Sequence, residues 1–299
     1  MKWTSGFFSI CIFLCATFSS KGNEFGQDAA LHRGDSLFAL GNFFEAAIAY
    51  ERAYFFSAGQ QQKTAANLRK AAALKQMGEH ARVVTDLQRS LPFAGDEALR
   101  REILYEMAFS AYLSWSYPLA QSLISQLEFQ SPQGVDIAAF PLLKSLVMVK
   151  MENWEALRDY SGNLFPGNEE DSEKKQMQQI LLLLLEDANH PQSLDPPRAR
   201  LWSTFFPGAG QVYAGSPGKG ALNGFSQLVS LSGAVLMAYN QLYISSVVVG
   251  LGLFQSFYFG GIRQAGQLAE ENSFEQMAQY KDKLSAILIE IHKPDQNTQ

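Results

Sequence analysis

Between Lys219 and Arg263 the chain reads GALNGFSQLVSLSGAVLMAYNQLYISSVVVGLGLFQSFYFGGI, from Gly220 to Ile262, without one charged side chain. A helix needs about 20 apolar residues to cross a bilayer. This run has 43 residues and so has room for two such helices. Tyr239-Asn240-Gln241 is a polar break near its middle. The pattern predicts helices over about 221–238 and 243–262, joined by a tight turn into a hairpin. Small residues recur every fourth position, at Ser226, Ser230, Ala234 and Ala238 and again at Gly252, Ser256 and Gly260. Such stripes let helix backbones approach closely in lipid, where packing drives association. Tyr239 and Tyr243 at the turn and Phe257-Tyr258-Phe259 at the exit match interfacial aromatic belts. Asn223, Gln227 and Gln255 need polar partners in lipid. They keep open the alternative of two core helices in a soluble protein.

At 299 residues the chain has room for about two domains. Charged residues are 18% of it, and the deficit lies mostly in the hydrophobic segments. A net charge of −5 gives no electrostatic case for binding nucleic acid. Residues 1–22 read as an export signal, with Lys2 as the positive start and Phe7 to Phe18 as the apolar core. Thr17/Ser19 or Ser20/Gly22 supply the small pair before a cleavage site. An uncleaved anchor is one alternative; a lipoprotein built on Cys15 is another, opposed by the bulky Leu14 before it. Cys11 and Cys15 are the only cysteines. Removal of the signal leaves no thiol, and therefore no disulfide framework.

Residues 27–165 repeat with a period of 37. An aromatic or His column runs through Phe43, His80, Tyr117 and Trp154, and an aliphatic one through Ala46, Val83, Ala120 and Leu157. In the first unit Gly34 and Leu37 fit one helix, Gly41 a turn, and Phe43, Ala46, Tyr50 and Ala53 a second helix. Gly78 repeats the turn. This arrangement resembles the tetratricopeptide repeat, a helix–turn–helix unit of about 34 residues. The later units are degenerate, with Ala71 or Ala108 in place of the first-helix glycine. The resemblance implies an all-α solenoid whose concave face binds protein partners. A generic helical bundle is the alternative.

Residues 166–197 read as a connector. Asn168 followed by Glu169, Glu170 and Asp171 starts a helix that runs to Leu185 and is expected to cap the last repeat. Asn189-His190-Pro191 and Asp195-Pro196-Pro197 read as a stiff linker and a domain boundary. The membrane module, 198–263, then opens with Arg200, Trp202, Phe205 and Phe206, an amphipathic entrance suited to headgroups. PGAGQVYAG follows from Pro207 to Gly215, then Lys219-Gly220. Pro207, Gly208, Gly210, Gln211, Tyr213, Gly215 and Gly220, ahead of two hydrophobic helices, resemble a family of small uncharacterised bacterial membrane domains. That resemblance implies architecture and no activity. The glycines permit a bent or re-entrant backbone, whose freed peptide groups Gln211 and Tyr213 could satisfy. The alternative is that these two side chains line a small binding site. Residues 264–299 read as a charged amphipathic helix and tail, with Asn272-Ser273 a point of interruption.

No catalytic, cofactor or metal motif emerges. Gly215-Ser216-Pro217-Gly218-Lys219-Gly220 lacks the spacing and the hydroxyl residue of a phosphate loop. His32, His80, His190 and His292 lie far apart, with no second ligand at helical spacing. The expected molecule is a non-enzymatic, membrane-anchored scaffold of the bacterial envelope, its repeats extracytoplasmic. A transport accessory oligomerising through the hairpin is one alternative, and an enzyme with a site at Gln211 and Tyr213 is another. Arg198, Arg200, Lys219 and Arg263 flank the hairpin, and by the positive-inside tendency they pull against an exported array.

Overall fold

A computed structural model describes residues 26–161, 172–186 and 189–292. The expected signal at 1–22 and the helix start expected at Asn168 lie outside the described residues. Every regular element among the described residues is helical. The chain divides into two compact units, Met1–Pro166 and Gly167–Gln299.

The first unit consists of helix pairs: α1 (26–39) with α2 (Phe43–Phe56), α3 (Gln60–Gln76) with α4 (His80–Ser90), α5 (Glu97–Leu113) with α6 (Tyr117–Phe129), and α7 (Phe140–Lys150) with α8 (Trp154–Ser161). The turn inside each pair is the same structure, set 37 residues further along each time. Its left-handed residue is Gly41, Gly78, Trp115 and Glu152 in turn, with φ of 77°, 76°, 63° and 57°. In each, the next amide reaches back five residues: Asn42 to Leu37, Glu79 to Leu74, Ser116 to Ala111 and Asn153 to Met148. This bond satisfies a carbonyl that the helix end would leave free. Glycine adopts the left-handed conformation at no steric cost, so the first two turns use the residue best suited to it.

The packing has the same period. Ala46, Val83, Ala120 and Leu157 are all fully buried, as are Ala71, Ala108 and Ser145 on the preceding helices. The core joins the pairs continuously, from Tyr50 through Leu74, Leu87, Leu104 and Ile124 to Val147. Gly34 matters because an added Cβ would fall 2.5 Å from the Tyr50 ring. Tyr50 donates from its hydroxyl to Asp35 at 2.9 Å. Burial, and then the Asp35 carboxylate, push this phenol up to about 12. A second polar cluster lies between α2, α3 and α4. Lys70, only 7% exposed, meets Glu51 at 2.6 Å and Asp86 at 2.7 Å. Asn67 donates to the Asp86 carbonyl at 2.6 Å and to the Ser90 hydroxyl at 2.8 Å. Burial raises the Asp86 carboxyl, but Lys70 and Arg89 together overcome it and hold the group below the usual carboxylate range.

The second unit contains α9 (Ser172–Leu184), α10 (Pro196–Phe205), the short α11 (Ala209–Tyr213), α12 (Pro217–Tyr239) and α13 (Tyr243–Ile291). Both α12 and α13 are long and apolar enough to cross a membrane. At 23 residues, α12 is about 35 Å long, against a hydrocarbon core of about 30 Å. Only 17% of the most apolar window of each helix is buried, so neither is enclosed as a soluble core helix is. Leu222, Phe225, Leu228, Val235, Ile244 and Val248 all face outward. The turn expected between the helices is present, with Gln241 left-handed at φ 63° and Leu242 donating to the Met237 carbonyl.

Four expectations need correction. First, the second hairpin helix does not end near Arg263, because α13 continues unbroken to Ile291. Asn272 and Ser273 do not interrupt it. Asn272 is engaged by the carbonyl at the end of α11, and the Ser273 hydroxyl donates to the Ala269 carbonyl of its own helix while accepting from the Leu194 amide before α10. Second, Pro196-Pro197 is not a linker but the first turn of α10, where proline fits because its missing N–H has no helical partner. The division into two units falls after Pro166, where the expected array ends, and residues 189–197 lie within the second unit. Third, the helix expected to cap the last repeat belongs to the second unit and packs on α13, where the Tyr280 hydroxyl donates to the Leu184 carbonyl at 2.7 Å. Leu181, Leu185, Leu284 and Leu288 are fully buried there. Fourth, the contact between the hairpin helices does not use Gly252, Ser256 and Gly260. A six-residue π-turn, Ser246–Leu251, rotates α13 so that Ser246 and Gly250 meet Ala234. The Ser246 hydroxyl donates to the Ala234 carbonyl at 2.7 Å.

Candidate functional site

At the foot of the hairpin, PGAGQVYAG folds back on itself. Gly208 is left-handed at φ 91°, and an added Cβ there would collide with the Gly220 carbonyl. A Cβ on Gly220 would in turn lie 2.6 Å from the Gly208 carbonyl oxygen, so the two backbones touch through paired glycines. Gly210 is tighter still. A Cβ there would strike the Ala199 carbonyl, the Ser203 hydroxyl and Ala265. These approaches seat α11 between α10, the start of α12 and the middle of α13.

A chain of buried polar bonds holds it there. The Gly210 amide donates to the Ser203 hydroxyl at 3.1 Å, and that hydroxyl donates to Gln211 Oε1 at 3.0 Å. Gln211 Nε2 then donates to the Gly261 carbonyl at 2.9 Å. Gln211 is 0% exposed, so both ends of its amide are engaged and no atom of it is open to a substrate. Tyr213 accepts a bond from the Asp195 amide at 3.2 Å. Asn272 donates to the Ala214 carbonyl, and Ser273 accepts from the Leu194 amide at 2.8 Å. Small side chains fill the gaps: Ala199, Ala214, Ala265 and Ala269 are fully buried. The Tyr258 hydroxyl donates to the Thr204 carbonyl at 3.0 Å and ties the end of α10 to α13.

Pro207, Gly208, Gly210, Gln211, Tyr213, Gly215 and Gly220 therefore come together in one module. Gly215, left-handed at φ 80°, ends α11. The partners Ser203, Gly261, Asn272 and Ser273 carry no sequence signal. They lie 7 to 79 residues from the groups of the module they bind, and no spacing rule selects them. Among the repeat residues, Ala46, Tyr50, Ala53 and Ala120 are buried, and Gly41 and Gly78 form turns. Phe43 and Tyr117 stack edgewise or tilted on Phe38 and Tyr112, at 5.2 and 5.7 Å. Trp154 opens α8.

Other concavities lie elsewhere among the described residues. An apolar groove of about 300 Å³ runs between α12 and α13, lined by Phe225, Ser230, Met237, Gly250 and Phe257 among others. A polar cleft of about 470 Å³ on the first unit is lined by Glu97, Arg101, Gln130 and Asp136 among others. Among the described residues no group of three or more His, Cys, Asp or Glu side chains is placed to hold a metal. The chain matches no protein-family model, no curated protein and no solved structure.

Proposed function

We propose that the protein is a membrane-anchored scaffold of the bacterial cell envelope. Its first unit is read as a tetratricopeptide-like solenoid that binds partner proteins, and its hairpin module as the anchor. The observation that carries this reading is the 37-residue recurrence of one turn and one set of buried positions over four helix pairs. Arrays of repeated helix pairs commonly serve as binding surfaces. The exposed side chains along the array, Phe55, Trp115 and Phe129 among them, offer large apolar contacts of the sort that anchor interfaces. The enclosure of Gln211 weighs against a membrane-embedded catalytic site there. The repeats are placed on the extracytoplasmic side because residues 1–22 read as an export signal.

Crosslinking in living cells followed by detergent purification of the full chain tests the reading. A defined protein should be recovered with the wild type and lost with Trp115→Ala or Phe129→Ala, both on exposed positions that leave the core intact. Identical recovery from all variants would contradict it. A transport accessory is the second reading, favoured by the open apolar groove between α12 and α13.

A further inference from the structure

We infer that a second copy of this chain docks on the outer face of α13 through Gln255. The inference rests on the reading of the hairpin as membrane-embedded. Of the amide side chains in the uncharged stretch, Gln227 is buried and bonded to Asn223, which lies against Gly261. Asn240 and Gln241 sit at the exposed turn. Gln255 differs from the first two in being exposed and from the turn residues in its depth, and among the described residues no hydrogen bond to its side chain is formed. Its depth makes this costly. With a rise of about 1.5 Å per residue, Gln255 lies about 18 Å from Tyr243 and about 12 Å from Arg263, near the middle of the apolar span. No water reaches that depth to bond an amide.

The surroundings of Gln255 are shaped for another helix. At about 100° per residue, Gly252, Gln255, Ser256 and Phe259 fall within one sector of about 100°. An added Cβ on Gly252 or Gly260 would meet nothing within 4 Å, and Ser256 is exposed. These small residues do no packing inside the chain, since Ser246 and Gly250 make the contact with α12. An amide both donates and accepts, so two Gln255 side chains related by a two-fold axis complete one another. A second copy supplies that partner at the same depth. A lipid chain fills the space but leaves the amide unbonded.

The test uses the full chain with Cys11→Ser and Cys15→Ser, reconstituted in phosphatidylcholine vesicles at high lipid excess. Single cysteines are placed at Ser256 or, as a control of similar depth on α12, at Leu228. Oxidation should link the Ser256→Cys chains into dimers and leave the Leu228→Cys chains monomeric. Gln255→Leu should weaken association about threefold to thirtyfold, and Gln255→Asn should restore part of it. Equal linking at both positions, no linking at residue 256, or linking unchanged by Gln255→Leu would each overturn the inference. Flotation of the same samples separates the premises. Chains that float without linking refute the dimer alone, whereas chains that do not float refute the membrane reading with it.

Discussion

The Gln211 side chain donates to the Gly261 carbonyl at 2.9 Å, joining α11 to a helix residue 50 positions further on. With Ser203 on its other side, Gln211 completes a buried chain of hydrogen bonds. Replacing it by Leu preserves most of the volume but leaves the Ser203 hydroxyl and the Gly261 carbonyl short of a partner. An unsatisfied buried group costs about 1–3 kcal/mol. Unfolding of the purified chain in detergent should show a loss in that range for Gln211→Leu. No loss would mean that the cluster contributes nothing to the module.

The glycines of the same module should differ sharply. Gly210→Ala places a methyl against the Ala199 carbonyl and Ser203, and the backbone must move to admit it. Gly218, in the first turn of α12, has open space at its Cβ. There, alanine should be neutral or stabilising by up to about 1 kcal/mol, the difference in helix propensity. Limited proteolysis of the two variants in the same detergent makes the comparison.

The repeated turn permits a test of the array. Trp115 and Glu152 hold the left-handed conformation that Gly41 and Gly78 hold in the first two pairs. A side chain costs roughly 1–2 kcal/mol in that region, and glycine relieves it. Because glycine also loosens the unfolded chain, Glu152→Gly should gain only about 0.5–1 kcal/mol. Gly78→Ala should lose a comparable amount. Thermal unfolding of the two variants measures both effects.

The Lys70 cluster predicts a pH signature. The folded Asp86 carboxyl titrates below its unfolded value, so its stabilising contribution is present above the unfolded value, near 4. It is lost as the pH falls through the lower, folded value. Lys70→Met removes the cation between Glu51 and Asp86. For a buried pair this costs about 3–5 kcal/mol, and the partial exposure of Glu51 and the remaining Arg89 place the expected loss at the lower end. The deficit should be largest at pH 7 and shrink on acidification, as Asp86 takes up a proton and no longer needs a counter-ion. A deficit independent of pH would assign the loss to packing alone.

Much of the architecture was legible because its signals are local. The uncharged run from Gly220 to Ile262 and the recurrence of Gly41 and Gly78 each rest on a few neighbouring residues. The errors came where long-range contacts override local habit. Asn272 and Ser273 look like a helix break until Ala214 and Leu194 are brought to them. Pro196-Pro197 looks like a linker until α10 is seen to begin there. The small-residue pattern of α13 was visible, but its face was not, because a π-turn shifts the register in a way that no period of four reveals.

The central claim is that two hydrophobic helices hold an exported helical array at a membrane. Protease treatment of intact spheroplasts carrying the full chain, followed by carbonate washing of their membranes, tests it most directly. The account predicts that the array is digested without lysis, while a fragment containing α12 and the apolar half of α13 stays in the washed membranes. Release of the whole chain by carbonate would contradict the anchor, and protection of the array until lysis would contradict its export.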